Sequence, residues 1–122
     1  VQNVKLGSEI NDEEKNNIKK MLSVFKFSSK ILNENYKIGE NGNKLSGGQK
    51  QRLSIARAIY RSPEILFLDE STSAMDISTQ ADIMELIFEK MKNKTIIMIS
   101  HRNETLRYFK KIISISDGYI FE

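Results

Sequence analysis

The chain reads Leu-Ser-Gly-Gly-Gln at residues 45–49 and Ile-Leu-Phe-Leu-Asp-Glu at residues 65–70, and these two stretches decide its fold. A serine followed by two glycines predicts the start of a helix whose backbone N–H groups an anion can approach. The apolar run at residues 65–68 is too short for a helix and predicts a buried parallel strand. That strand runs directly into two carboxylates.

The segments around these stretches alternate between helical and strand patterns. Helices are predicted at residues 12–26, 49–61, 77–92 and 103–110. Asn11, with Glu14 three positions on, predicts a capping box at the start of the first helix, whose apolar face is predicted to be Ile18, Met21, Leu22 and Phe25. The apolar stripe of the third of these helices is predicted to be Ile77, Ala81, Met84, Ile87 and Met91. Strands are predicted at residues 65–68, 95–99, 112–115 and 119–121, and Asp117-Gly118 predicts the turn between the last two. Residues 33–44 are rich in Asn and Gly and predict a loop.

The order of these elements divides the chain in two. From Pro63 onward it is strand, helix, strand, helix, strand, which is typical of an α/β layer with a parallel sheet. Residues before Pro63 show no convincing strand. We therefore predict a helical subdomain at 1–62 and a portion of an α/β core at 63–122.

Composition narrows the possible functions. The 122 residues suffice for one small domain or part of a larger one, and the first residue is Val1 rather than Met, which favours a piece of something longer. The net charge of +3 comes without a basic run interleaved with aromatic residues, so nucleic acid is not an expected partner. The absence of Cys excludes thiolate metal sites and cysteine catalysis. No apolar stretch approaches the ~20 residues that a membrane-spanning helix needs.

The charged end of the first strand indicates nucleotide chemistry. One carboxylate at this position can hold Mg²⁺ and the next can activate a water molecule. Like charges at the end of a buried strand are otherwise costly, because they repel each other and lose hydration. Combined with the predicted anion site at residues 45–49, the pattern is that of a protein that acts on a nucleoside triphosphate. The simpler alternative is an Asp that caps a helix.

The amino-acid sequences of four segments resemble motifs of the ATP-binding cassette (ABC) ATPases, most closely those of membrane exporters. The segments are Leu45–Arg52, the Asp69-Glu70 pair, Ser71-Thr72-Ser73-Ala74-Met75-Asp76, and Ser100-His101-Arg102. In this family the third segment usually ends Ser-Ala-Leu-Asp, and Met75 replaces the Leu conservatively.

The resemblance implies a role for each site residue. Asp69 would hold Mg²⁺, Glu70 would act as general base, and His101 would be the switch histidine that contacts the γ-phosphate. The other implied nucleotide contacts are Ser46, Gly47, Gly48 and Gln49 in the signature motif and Asp76 in the D-loop, which lies across a dimer interface.

Each of these residues also has a purely structural interpretation. Ser46 could be an ordinary helix cap after a glycine turn, and Asp76 could be the cap of the helix at residue 77. A lone histidine such as His101 is more often structural than catalytic. Glu40 resembles the acidic loop by which exporter ATPases contact their membrane domains, but it could also lie in a solvated turn.

Two regions that are typical of the family are missing from the sequence. No G-x-x-x-x-G-K-[ST] occurs, so the Walker A loop that grips the β- and γ-phosphates is absent, and the Q-loop region is absent as well. The resemblance thus covers the C-terminal part of an ABC ATPase domain, a P-loop NTPase. We expect the 122-residue chain alone to be inactive.

The resemblance implies a function for the parent domain, which is ATP hydrolysis with Mg²⁺ that powers export across a membrane. Its partners would be a second ABC ATPase subunit in a head-to-tail dimer and transmembrane domains, at the cytoplasmic face of the membrane. Two alternatives stay open. One is an ABC ATPase of DNA repair or translation, and the other is a non-catalytic fragment that supplies signature and D-loop surfaces to a partner.

Overall fold

A computed structural model describes residues 4, 11–33, 36–73 and 75–121. Its helices are α1 (Asp12–Val24), α2 (Ser29–Leu32), α3 (Gly47–Tyr60), α4 (Ile77–Lys90) and α5 (Asn103–Leu106), with a 3₁₀ turn at Glu40–Gly42. Its strands are β1 (Ile65–Asp69), β2 (Thr95–Ile99), β3 (Ser114–Ser116) and β4 (Tyr119–Phe121). The four predicted helices are all present, and α2 and the 3₁₀ turn were not predicted.

Helix α1 begins at a reciprocal cap. Glu14 N–H donates to Asn11 Oδ1 at 2.8 Å, and Asn11 N–H donates to Glu14 Oε2 at 3.3 Å, so the predicted capping box is confirmed. The four predicted apolar positions of this helix are all buried. They are Ile18, Met21, Leu22 and Phe25.

The parallel sheet has two strands in the described part of the chain. Strand β1 pairs with β2 in the register Ile65↔Thr95 to Asp69↔Ile99. Leu66 and Leu68 face the core, whereas Phe67 on the opposite face is 69% exposed. The prediction that this strand is buried on both faces is therefore wrong, because the described residues cover only one face of the sheet.

Helix α4 buries Met84 and Ile87, and Met91 after it, as predicted, but its buried face is wider than the predicted stripe. Its buried residues are Thr79, Gln80, Ile83, Met84, Leu86 and Ile87. Ile77 is 60% exposed, so its place in the predicted stripe is wrong. Ile77 immediately follows the cap residue Asp76, and the buried side of the helix begins only in its second half-turn.

Strands β3 and β4 form an antiparallel hairpin. Ser116 pairs with Tyr119, and the two residues between them, Asp117 and Gly118, have φ angles of 51° and 81°. Positive φ at both positions is what a two-residue hairpin turn of type I′ requires, so the predicted turn is confirmed. Strand β3 pairs with β4 and not with the parallel sheet.

The core includes residues from both sides of Pro63, among them Phe25 and Leu53 on one side and Leu68 and Ile83 on the other. The division at residue 62 stays a prediction. None of the helices in the described ranges has the length and apolarity needed to cross a membrane.

Candidate functional site

The Ser-Gly-Gly-Gln stretch forms the first turn of α3. Gln49 N–H donates to Ser46 Oγ at 3.2 Å, and Ser46 N–H donates to Gln49 Oε1 at 2.9 Å. Lys50 N–H donates to the Ser46 carbonyl at 2.9 Å. Gly47 and Gly48 occupy the first two helical positions, where the backbone N–H groups have no intrahelical acceptor. Ser46 is therefore a helix cap, and the cap leaves two N–H groups at the positive end of the helix dipole for an anion.

The fold itself gives no reason for glycine at position 47. A Cβ atom built there would meet nothing within 4 Å, and the residue is exposed. Glycine at the start of a helix is less favourable than alanine, because its backbone loses more conformational freedom. The space that a side chain at position 47 would fill is therefore open, as a ligand that approaches from outside the chain would need.

Arg52 fastens this helix to the end of α1. Its Nη1 donates to the Phe25 carbonyl at 2.7 Å, and its Nε donates to the Gly48 carbonyl at 3.3 Å. The guanidinium also lies 5.5 Å from the centre of the Phe27 ring. The sequence showed Arg52 only as part of the signature wording and gave no sign of these contacts.

The carboxyl ends of β1 and β2 bring Glu70 and His101 together. Glu70 N–H donates to the Ile99 carbonyl at 3.0 Å, which extends the sheet by one bond beyond Asp69. His101 Nδ1 then lies 3.0 Å from Glu70 Oε1, although the residues are 31 apart in the chain. An ionised carboxylate can only accept, so Nδ1 carries the hydrogen in this contact. Both side chains are exposed, and a water molecule can reach the carboxylate.

Glu70 has an unusual backbone conformation. Its φ angle of 42° lies in the left-handed region, which is rare for residues other than glycine. Its carbonyl accepts from Ser73 N–H at 3.0 Å, so the chain turns sharply directly after the strand. Strained residues of this kind occur preferentially at functional sites.

Asp69 is the last residue of β1, and its role as a metal ligand stays a prediction. Its side chain is exposed at the end of β1, and no described side chain forms an ion pair with it. The described residues contain no group of three or more metal-ligating side chains. Mg²⁺ in general keeps several water ligands and takes one or two carboxylates together with substrate phosphates.

Asp76 caps α4, as the structural interpretation of this residue predicted. Its Oδ1 accepts from Thr79 N–H and from Ser78 Oγ–H, both at 2.9 Å. The bonds from Thr79 and Ser78 hold the pKa of the Asp76 carboxyl far below its usual value. The stability that the ionised Asp76 carboxylate contributes through these bonds is therefore complete above the ordinary aspartate pKa. It is lost as the pH falls through the lowered pKa. Its interface role stays a prediction.

The described contacts do not join the two parts of the candidate site. No hydrogen bond or ion pair joins Ser46–Gln49 to Glu70 or His101 in the ranges that the structure describes.

Glu40 is exposed in the 3₁₀ turn that precedes the signature, after Gly39 with a φ angle of 78°.

Comparison with known proteins gives matches over most of the chain. The sequence model of the family described as "ABC transporter" matches residues 1–73. Multidrug resistance protein pgp-1 of Caenorhabditis elegans is 42% identical over 99% of the chain, which spans 9% of that protein. A putative export ATP-binding/permease protein of Rickettsia felis is 42% identical over 92% of the chain, which spans 20% of that protein.

Two solved structures are also similar. A bacterial Atm1-family ABC exporter with ATP bound has 30% sequence identity and a TM-score of 0.79, with 99% of this chain and 22% of that one covered. A dimeric bacterial ABC transporter cassette has 31% identity and a TM-score of 0.70, with 92% of this chain and 47% of that one covered.

Proposed function

Because the chain belongs to the ABC transporter family, we propose that it supplies part of the ATP-hydrolysing domain of an exporter. The likeness to cassette structures confirms the predicted fold class, a portion of a P-loop NTPase domain with helices and parallel strands. The chain spans 9% and 20% of the two curated relatives named above. The observation that supports the proposal most is the 3.0 Å contact between His101 and Glu70 beside Asp69.

In this proposal the strand ends carry out the hydrolytic step. Glu70 accepts a proton from the attacking water, which its exposed carboxylate can reach. His101 orients that carboxylate through Nδ1 and lies where charge develops on the transferred phosphoryl group. A bound Mg²⁺ would neutralise charge on the phosphates, and Asp69 would hold it, chiefly through water.

The signature helix completes the site of a second subunit. The Gly47 and Gly48 N–H groups, beside the capping residue Ser46, offer an anion site. Among the described residues, no hydrogen bond links this site to Glu70 or His101 of the same chain. A head-to-tail dimer would place this anion site against the γ-phosphate bound by the partner. The structure of the bacterial cassette is described as dimeric, which supports this arrangement.

The names of the relatives favour export over DNA repair or translation. We therefore propose transmembrane domains as further partners, a position at the cytoplasmic face of a membrane, and no nucleic-acid ligand. The test is ATP hydrolysis by the full-length protein that contains this chain, measured with Glu70 intact and with Glu70→Gln.

The isolated 122-residue chain should bind MgATP weakly or not at all. The sequence has no Walker A motif, so the loop that would grip the β- and γ-phosphates is missing from this chain. Calorimetric titration should therefore give no saturable heat at micromolar ATP, and the purified chain should show no turnover. Low-micromolar binding or measurable hydrolysis would show that the chain has a phosphate grip of its own.

Replacing Gly47 with alanine should separate stability from activity. The added Cβ meets no atom of the chain, and alanine is the better helix former, so urea unfolding of the chain should show a free energy unchanged or raised by up to about 1 kcal/mol. ATP hydrolysis by the full-length dimer should fall, because the Cβ occupies the approach to the N–H groups. A marked loss of stability would show that the fold needs glycine at this position.

A further inference from the structure

Near the Glu70–His101 pair, two buried threonine side chains contact a buried glutamine side chain. Thr72 lies two residues after Glu70, Thr105 lies four after His101, and Gln80 lies on the buried face of α4. Their exposed fractions are 1%, 0% and 2%. Gln80 Nε2 donates to Thr72 Oγ1 at 3.3 Å and also to Thr105 Oγ1. One amide group thus joins the loop after β1 to the segment after β2, and we call these three residues the Gln80 brace.

Packing alone does not explain a glutamine at this position. The same face of α4 carries Ile83, Met84 and Ile87, all fully buried, and an unbranched apolar side chain such as Met would fit among them. Gln80 Oε1 is buried and has no hydrogen-bond partner among the described groups. An unpaired buried acceptor destabilises a fold. The glutamine therefore carries an unpaired oxygen that methionine would not have, and what it adds at this position is the pair of bonds that it donates to Thr72 and Thr105.

A second set of contacts joins the same two segments. Arg102 Nη1 donates to the Thr72 carbonyl at 3.4 Å and to the Met75 carbonyl at 3.3 Å. Arg102 immediately follows His101, so the histidine segment is tied to the loop after Glu70 both through its backbone neighbour and through the Gln80 brace.

We propose that Gln80 is a positioning residue for hydrolysis, which fixes the loop after Glu70 to the segment of His101 so that the two side chains stay in contact. This inference rests on the proposed function. A displacement of the loop between Glu70 and Asp76 by a partner subunit would then displace His101 as well. The brace would make the position of the catalytic pair depend on whether the dimer is closed.

Gln80→Met in the full-length protein should lower kcat for ATP by about 10- to 100-fold, the scale expected when reacting groups are misplaced by about 1 Å. KM should be unchanged, since the substitution touches no nucleotide contact. The urea midpoint of the variant chain should change little, because the unpaired oxygen is removed but the buried Thr72 and Thr105 hydroxyls lose their hydrogen-bond partner. A lowered midpoint with unchanged kcat would mean that Gln80 only packs, and would overturn the inference.

Two further variants sharpen this test. Gln80→Glu keeps side chain length and can hydrogen-bond both threonine hydroxyls in either protonation state, so its kcat should lie much closer to the parent than that of Gln80→Met. Ile83→Val, one turn along the same buried face, should lower the urea midpoint and leave kcat unchanged. If Ile83→Val reduced kcat as much as Gln80→Met did, a general loosening of α4 would explain both results and the brace would be refuted.

Hydrogen exchange of the 122-residue chain tests the brace without nucleotide. Gln80→Met should speed exchange of backbone amides in both segments 70–76 and 100–106 and leave α1 unchanged. Faster exchange in one segment only, or in neither, overturns the inference. Failure of the proposed function is a distinct result, since it would show as no ATP hydrolysis by the full-length parent with Glu70 intact.

Discussion

Replacing Glu70 with glutamine in the full-length protein should preserve ATP binding while hydrolysis falls by roughly 10²–10⁴-fold, the usual contribution of a general base. The amide has the size of the carboxylate, and its oxygen can still accept from His101 Nδ1, so the geometry at 3.0 Å should survive. What is lost is the basic lone pair that takes a proton from water. The nucleotide-bound dimer should consequently accumulate, which size-exclusion chromatography with ATP would detect.

The chain offers a matched control for this substitution. Glu64 precedes β1 at its opposite end, is 86% exposed and pairs with Lys94 at 3.4 Å. Glu64→Gln makes the same chemical change and should leave hydrolysis unchanged, since exposed ion pairs contribute little. If Glu70→Gln turned over near the parent rate, Glu70 would not be the base. Asp69→Asn should differ from both, because it should raise the Mg²⁺ concentration needed for activity as well as lower the rate.

Gly48→Asp should abolish hydrolysis at the site of the partner subunit and leave nucleotide binding by its own subunit intact. A carboxylate at the second position of α3 repels the γ-phosphate from the N–H groups, and its Cβ narrows their approach. The helix itself should stay folded, because an acidic residue in the first turn interacts favourably with the helix dipole. Loss of activity would therefore not reflect unfolding, which circular dichroism can check.

Mixed dimers show whether this effect acts between subunits. One subunit carries Gly48→Asp, and the other carries a disabling Lys substitution in its phosphate-binding loop. In a head-to-tail dimer both lesions fall on one composite site, so the other site should still hydrolyse ATP. Placing both lesions in one subunit should eliminate activity, since each site then has one lesion. The opposite pattern would mean that the signature acts on nucleotide bound by its own subunit.

Local signals in the sequence predicted the local features of this fold. The caps at Asn11 and Asp76 and the turn at Asp117-Gly118 depend on residues at most three apart, and each was confirmed. Helix α2 was missed, because four residues are too few to show a periodic pattern.

Features that depend on the assembled fold were harder to predict. Residues 65–68 are all apolar, so nothing in them distinguishes a strand covered on both faces from one with Phe67 and Ile65 exposed. The sequence did not single out Gln80, because burial of a polar side chain is decided by the segments that pack on it. The pairing of two carboxylates at the end of β1 can be predicted from the sequence Asp69-Glu70 after an apolar run. The contact of Glu70 with His101 follows instead from the register of β1 and β2.

That register has a consequence for the order in which the chain folds. Ser46 and Gln49 are three residues apart, so their reciprocal cap forms with the first turn of α3. Glu70 and His101 are 31 residues apart and meet only after a long loop has closed through α4, which costs chain entropy before any contact compensates for it. We therefore expect the anion-binding turn to form early and the hydrolytic pair to form late. In the proposed dimer, the chain would form the anion-binding turn, which acts at the partner's site, before the Glu70–His101 pair, which acts at its own site.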